Sequence, residues 1–139
     1  TVLALAADEF WRWTWRVPNP PAQLFTRVIF AQEQFVAVGD LGFIMTSADG
    51  RAWQVENSPA TNRLYGLIHT DQFVAAGDGG SVVVSSDARK WQLTNVGDSL
   101  IWALAHGAGN YVALNSQGHL FQSEDAFHWE ELDAPQAKG

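Results

Sequence analysis

Four side chains of this chain have types suited to holding a polar ligand: Arg27, Arg63, Tyr65 and Trp102. Two guanidiniums present forked N–H donors that match a carboxylate, while a phenol and an indole supply a hydroxyl and an aromatic floor. Together they suit recognition of a carboxylate or hydroxyl group. The plainer reading makes Tyr65 and Trp102 core filling and the two arginines solvated strand ends. A second set lies in Phe10–Val17, where strict alternation puts Trp11, Trp13, Trp15 and Val17 on one face of a strand. Those indoles either pack between neighbouring sheets or form a flat ladder for a protein partner or a sugar ring.

Other chemistries lack a pattern. His69, His106, His119 and His128 neither recur at equivalent positions nor stand at zinc-ligand spacing, so no metal or cofactor is expected. Gly77-Asp78-Gly79-Gly80 precedes a strand and lacks the lysine of a phosphate-binding loop. Asp40 and Asp78 fall in turns, and their third equivalent, Ser116, argues against a shared cation site. No strand–turn–helix elbow marks a serine nucleophile, and no catalytic residue is assigned.

The elements that must position these side chains come from a gapless 38-residue repeat, set by Trp15, Trp53, Trp91 and Trp129. Phe35, Phe73 and Tyr111 stay in register, as do Val36, Val74 and Val112, Ala37, Ala75 and Ala113, and Gly42, Gly80 and Gly118. Apolar runs of about five to eight residues between turn signals are strand chemistry, and each unit reads as four strands. In the middle unit these are Leu64–Ile68, Phe73–Ala76, Ser81–Ser85 and Trp91–Thr94. Three boxes join third to fourth strands, built on Ser47, Asp49 and Trp53, on Ser85, Asp87 and Trp91, and on Ser123, Asp125 and Trp129. An Asp can accept backbone N–H groups of its own turn, Ser can fix the other side, and Trp can pack beneath, so the boxes read as structural staples.

These boxes resemble the Asp-box, or BNR, repeats of bacterial β-propellers, found in sialidases, sortilin-type receptors and photosystem II assembly factors. The resemblance covers about residues 15–133, with one residue fewer between Asp and Trp than the common form and with Gly50 surviving only in the first box. It implies an all-β fold of four-stranded antiparallel propeller blades: a partial N-terminal blade at 1–17, full blades at 18–57, 58–95 and 96–134, and a tail at 135–139. It also implies that first strands line a central channel, which is where Arg27, Arg63, Tyr65 and Trp102 fall. A sialidase of this family would use an arginine cluster, a tyrosine nucleophile with an acidic partner and an acid/base aspartate. Arg27 with Arg63, and Tyr65 with Asp71 or Asp78, could be fitted to those roles, but three blades are too few and no spacing specific to the activity is present.

Composition bounds the partners. With 47% hydrophobic residues, 17% charged residues and a formal net charge of -7, the chain reads as globular. Its eight basic residues are scattered, so nucleic acid is not an expected partner. Absence of cysteine excludes disulfides and thiolate metal sites. Thr1–Ala7, with Ala4-Leu5-Ala6, resembles the end of a signal peptide and points to a periplasmic or secreted address, a plain strand being the alternative. No apolar run approaches the roughly 20 residues that span a bilayer. Propellers close with about four to eight blades, so a protein partner, a longer propeller or self-association must complete this one. The expected function is a noncatalytic module for protein binding or scaffolding, or an accessory subunit of a larger complex. The alternative is a glycan-binding or glycan-cleaving propeller.

Overall fold

The computed structural model describes residues 24–133. Within them the chain is all-β, with twelve strands in three four-stranded antiparallel sheets, each a simple meander. Blade 1 holds β1 (Phe25–Ala31), β2 (Gln34–Gly39), β3 (Ile44–Ser47) and β4 (Gln54–Glu56); blade 2 holds β5 (Leu64–His69), β6 (Phe73–Gly77), β7 (Ser81–Ser85) and β8 (Gln92–Asn95). Blade 3 holds β9 (Ile101–Gly107), β10 (Asn110–Asn115), β11 (Leu120–Ser123) and β12 (Glu130–Leu132). The fourth strand of blade 2 starts one residue later than the sequence reading placed it, with Trp91 in the preceding turn. The expected partial blade at 1–17, including Trp11 and Trp13, and the tail at 135–139 lie outside the described residues. Among the described residues no helix is long and apolar enough to cross a membrane.

Blade 2 shows why the strands read as unbroken apolar runs and not as alternating ones. Every residue of β6 and β7 is buried, because both faces of the sheet are covered. Val36, Val38 and Ile44 of blade 1 pack on Leu67, Phe73, Ala75 and Val83 of blade 2. The opposite face of blade 2, through Val74, Ala76, Val82 and Val84, packs on Ile101, Tyr111, Ala113 and Phe121 of blade 3. At the inner edge β1 contacts β5 and β5 contacts β9. Polar latches repeat the junction: Gln34 Nε2 donates to the Asp87 carbonyl at 3.1 Å, and Gln72 Nε2 to the Asp125 carbonyl at 2.9 Å. Asn110, at the same repeat position in blade 3, is a methylene shorter and donates to Ala108 of its own turn.

The three boxes fold alike. Asp49 Oδ1 accepts the N–H groups of Arg51 and Ala52 at 2.8 and 2.9 Å; Asp87 accepts those of Arg89 and Lys90, and Asp125 those of Phe127 and His128. Each serine hydroxyl donates to the Asp and accepts the N–H of residues 50, 88 or 126 at 2.8–2.9 Å. Trp53, Trp91 and Trp129 return their indole N–H to the carbonyls of Gly50, Ala88 and Ala126. Those last residues lie in the left-handed region, at φ 74°, 65° and 67°. Glycine is dispensable there in boxes 2 and 3 because the methyls of Ala88 and Ala126 are fully buried in the blade junctions, which offsets the strain. Backbone N–H donors hold the Asp87 carboxyl below its ordinary range, Lys90 first and Arg89 next.

The sequence repeat has no gap, yet the pairing has one. Ala37 lies opposite Val28 and Ala113 opposite Leu104, whereas Ala75 lies opposite Leu67, one residue beyond the Gly66 that strict repetition requires. Hairpin length is the cause. Gln32-Glu33 and Ala108-Gly109 are two-residue turns with all four φ values positive, but Thr70-Asp71-Gln72 is a three-residue turn. Asp71 is held there by the hydroxyls of Thr70 and Tyr111, both donating at 2.9 Å.

Gly39 and Gly77 serve closeness rather than φ. A Cβ on Gly77 would lie 1.9 Å from the Arg63 carbonyl oxygen, and one on Gly39 would lie 2.2 Å from that of Leu24. Asn115 replaces this glycine in blade 3 and rebuilds the turn by accepting the N–H groups of Gln117 and His119 on its side-chain oxygen.

Two stability outcomes follow. Gly77→Ala is expected to lower unfolding free energy in urea by about 1–3 kcal/mol through overpacking, while Gly107→Ala, whose Cβ meets nothing within 4 Å, should stay within about 0.5 kcal/mol of the parent. Asp87→Ala should cost about 1–2 kcal/mol at neutral pH, the turn being exposed enough for water to replace part of the loss. The folded carboxyl titrates below its unfolded value, so its contribution is complete above the ordinary carboxylate range and is lost as pH falls through the depressed value. The parent-minus-variant difference should therefore be level from pH 7 to about 5 and shrink on further acidification.

Candidate functional site

The inner strands carry the site, and irregularities in their pairing create it. β1 skips Thr26 between Phe25 and Arg27, β5 skips Tyr65 between Leu64 and Gly66, and β9 skips Trp102 between Ile101 and Ala103. A skipped residue leaves the ladder and its side chain is re-aimed out of the alternating pattern. Thr26 uses this freedom structurally, donating its hydroxyl toward the Val38 and Leu64 carbonyls and so tying β1 to β5. Tyr65 and Trp102 instead reach one cavity of about 190 Å³ across the three inner strands, lined by Arg27, Tyr65, Trp102 and the Gly66–Ile68 and Ala103–Leu104 backbone and side chains.

Of the four candidate residues, Arg27, Tyr65 and Trp102 line this cavity and Arg63 does not. Trp102 is 61% exposed and belongs to neither apolar cluster among the described residues. Arg63 stands behind Tyr65: its Nη1 donates to the phenol oxygen at 3.2 Å, its guanidinium carbon lies 5.7 Å from the ring centroid, and its Nε pairs with Asp40. The hydrogen bond to Tyr65 and then the Asp40 carboxylate hold the Arg63 guanidinium yet more firmly in its charged form. Asp40 also approaches the Leu24 N–H at 3.4 Å, so it is both a turn former and the counter-ion of Arg63. Arg27 makes no salt bridge among the described residues.

The remaining polar groups are arranged elsewhere. Tyr65 is joined to Arg63 and not to Asp71 or Asp78; Asp71 bonds Thr70 and Tyr111, whose phenol is pushed up in pKa by burial. Among the described residues that line the cavity, none beside Tyr65 is acidic. His69 and His106 stack at 4.4 Å on Phe73 and Tyr111, His119 lies 3.0 Å from Glu131, and His128 lies 2.7 Å from Asp125 within its box. Among the described residues no three metal-capable side chains converge. Ser47, Asp49, Trp53, Ser85, Asp87, Trp91, Ser123, Asp125 and Trp129 all serve the box turns described above, away from this cavity.

No protein-family model, curated protein or solved structure matches the chain, so geometry alone carries the functional reading. Sequence reasoning did not find the Asp40–Arg63 pair. Its only signal was repeat breakage at Arg63, where the equivalents are Phe25 and Ile101, and nothing in that breakage names Asp40 as the partner.

Proposed function

We propose that the chain is a noncatalytic binding module built from Asp-box-type propeller blades, and that it holds a carboxylate-bearing segment of a protein partner over the β1–β5–β9 cavity. The supporting observation is the convergence of Arg27, Tyr65 and exposed Trp102 on one concavity through two skipped strand residues. Arg27 supplies the forked donor, Tyr65 a hydroxyl pre-oriented by Arg63, and Trp102 an apolar wall for the methylenes that precede the carboxylate. Among the described residues that line the cavity, Tyr65 has no carboxylate or imidazole beside it and is hydrogen-bonded to Arg63, while Asp40 is engaged by Arg63, an arrangement that favours recognition over proton transfer. The net charge of -7 opposes an acidic partner only weakly at this site, because exposed charges farther than about 8 Å are screened at physiological salt.

A second reading has its own support. An open indole beside a guanidinium also fits the ring face and carboxylate of an acidic sugar, which makes the module a glycan binder.

Titration with a glutamate-rich peptide and, separately, with glucuronic acid, followed by tryptophan fluorescence and calorimetry, distinguishes the two. Saturable peptide binding, weakened about tenfold or more by Arg27→Gln and by Trp102→Ala, is the expected result and corresponds to about 1.4 kcal/mol or more. Saturation by the sugar alone would transfer the site to the glycan reading. Binding by neither, or binding that both variants retain, would remove the cavity from the function.

A further inference from the structure

Position 41 carries a leucine where the backbone favours glycine. Asp40-Leu41-Gly42 turns β2 into β3, and Leu41 takes the left-handed conformation at φ 55° and ψ 27°, where blade 2 has Gly79 at φ 66°. A side chain there costs backbone energy that glycine avoids. Ala88 and Ala126 meet the same cost and offset it by burying their methyls, but Leu41 is 66% exposed. The remaining left-handed residues other than glycine, Gln32, Glu33 and Ala108, belong to two-residue hairpin turns that require positive φ. Strain held by an open apolar side chain, with no burial to offset it, is an outlier that points to a surface contact.

Openness at this corner does not depend on where the blades stop. Leu41 lies at the seam between blades 1 and 2, since its neighbour Asp40 pairs with Arg63 of blade 2. In blade 2, which has a blade on either side, a Cβ at Gly79 would meet only Asn62 of its own blade. That asparagine closes the corner with polar bonds, its Nδ2 donating to the Asp78 carbonyl at 3.3 Å and to the Ser81 hydroxyl at 3.2 Å. In blade 1 the positions of Gly79, Asn62 and Ser81 hold Leu41, Leu24 and Phe43. A hydrogen-bonded corner in one blade is thus an apolar corner in the other.

One ion pair separates this corner from the cavity. Leu41 follows Asp40, Asp40 pairs with Arg63, and Arg63 Nη1 donates to the Tyr65 phenol on the cavity wall. Measured through those contacts, the separation is roughly that of three or four residues of extended chain. Given the carboxylate-binding role proposed above, on which this step rests, we infer that Leu41 is the centre of a second subsite of the same binding site. It takes an aliphatic side chain of the partner segment, standing roughly three or four residues from the carboxylate. Charge and apolar contact then act on different parts of one segment: Arg27 recognises the acidic group, and Leu41 gains a partner for the surface it leaves in water.

The probe is an end-capped glycine–serine peptide with one glutamate and a leucine four residues away on each side, compared by fluorescence and calorimetry with the same peptide carrying serine for both leucines. The parent should bind the leucine peptide about tenfold more tightly, the worth of one aliphatic side chain taken from water. Arg27→Gln should weaken both peptides alike. Leu41→Gly should abolish the preference, leave the affinity for the serine peptide unchanged and melt no lower than the parent, because the left-handed strain is gone. Leu41→Asn, which tolerates the same φ, should also abolish the preference. Leu93→Ser, at another open leucine, should keep it. Equal affinity for the two peptides in the parent, or a preference that survives in both Leu41 variants, overturns this inference alone when Arg27→Gln still weakens binding. Binding of neither peptide, or binding indifferent to Arg27, overturns it together with the cavity reading. A parent that light scattering shows as more than one chain, and that Leu41→Gly returns to one, gives the corner to a second copy and overturns it as well.

Discussion

No blade of this chain has a core of its own. Each sheet is one layer thick and apolar on both sides, so its side chains leave water only when a blade stands on either face. This constraint orders everything else described here. It explains why β6 and β7 are buried throughout, why the repeat preserves Val, Ala and aromatic positions on both faces, and why the outermost faces are the least covered parts of the stack. Stability in such an array grows by junctions rather than by blades, as in other one-dimensional repeats. Blade 2 is covered on both sides and blades 1 and 3 on one side each among the described residues.

Box turns make that stacking possible by satisfying the chain where it reverses. The reversal leaves backbone donors without a ladder partner, and the Ser–Asp pair accepts three of them in the first box and four in each of the other two, while the tryptophan indole donates to the carbonyl of residue 50, 88 or 126. The same loop then serves the junction: the carbonyls of Asp87 and Asp125 accept the glutamine of the preceding blade, and the Ala88 and Ala126 methyls lie in the core between blades. A box is thus at once a hairpin closure and part of an interface. That double duty accounts for a left-handed alanine where glycine would be easier for the backbone, since glycine would forfeit the buried methyl.

Fold was legible in the sequence because its determinants are local and repeated. Four strands per unit, the turn at Gly77–Gly80 and the hydrogen-bonding roles of Ser85 and Asp87 each follow from a short window read several times over, whereas the indole N–H bond of Trp91 to the Ala88 carbonyl is added by the structure. Register was not legible. The chain from Leu67 to its partner Ala75 is one residue shorter than that from Val28 to Ala37 or from Leu104 to Ala113. The displacement persists beyond the skipped residue, where Leu64 stands opposite Gly77 in the place that strict repetition gives to Arg63, so the connection entering β5 takes up the difference. A strand displaced by one residue, with the difference taken up in the connection before it, leaves every spacing in the repeat unchanged. Likewise the Asp40–Arg63 pair joins an aspartate that recurs as Asp78 to an arginine whose equivalents are Phe25 and Ile101, so the pair itself does not recur and only the fold brings it together.

That hidden offset bears directly on the cavity. In strict repetition β5 would skip Leu64, the residue equivalent to Thr26 and Trp102, and Leu64 would leave the core in which it is now fully buried. Shifting the skip by one residue keeps Leu64 inside and frees Tyr65, placing a phenol between Arg27 and Trp102 where regular pairing would have put an aliphatic side chain. The longer hairpin that permits the shift is anchored by Asp71 to Tyr111 of the next blade, so the register of β5 is coupled to the blade 2–blade 3 junction. Polar character at the inner strands is therefore set at the far end of the hairpin, some distance from any side chain that lines the cavity. A chain held together by near-identical units acquires a distinct surface by varying the register of one strand, without altering the residues that pack the blades.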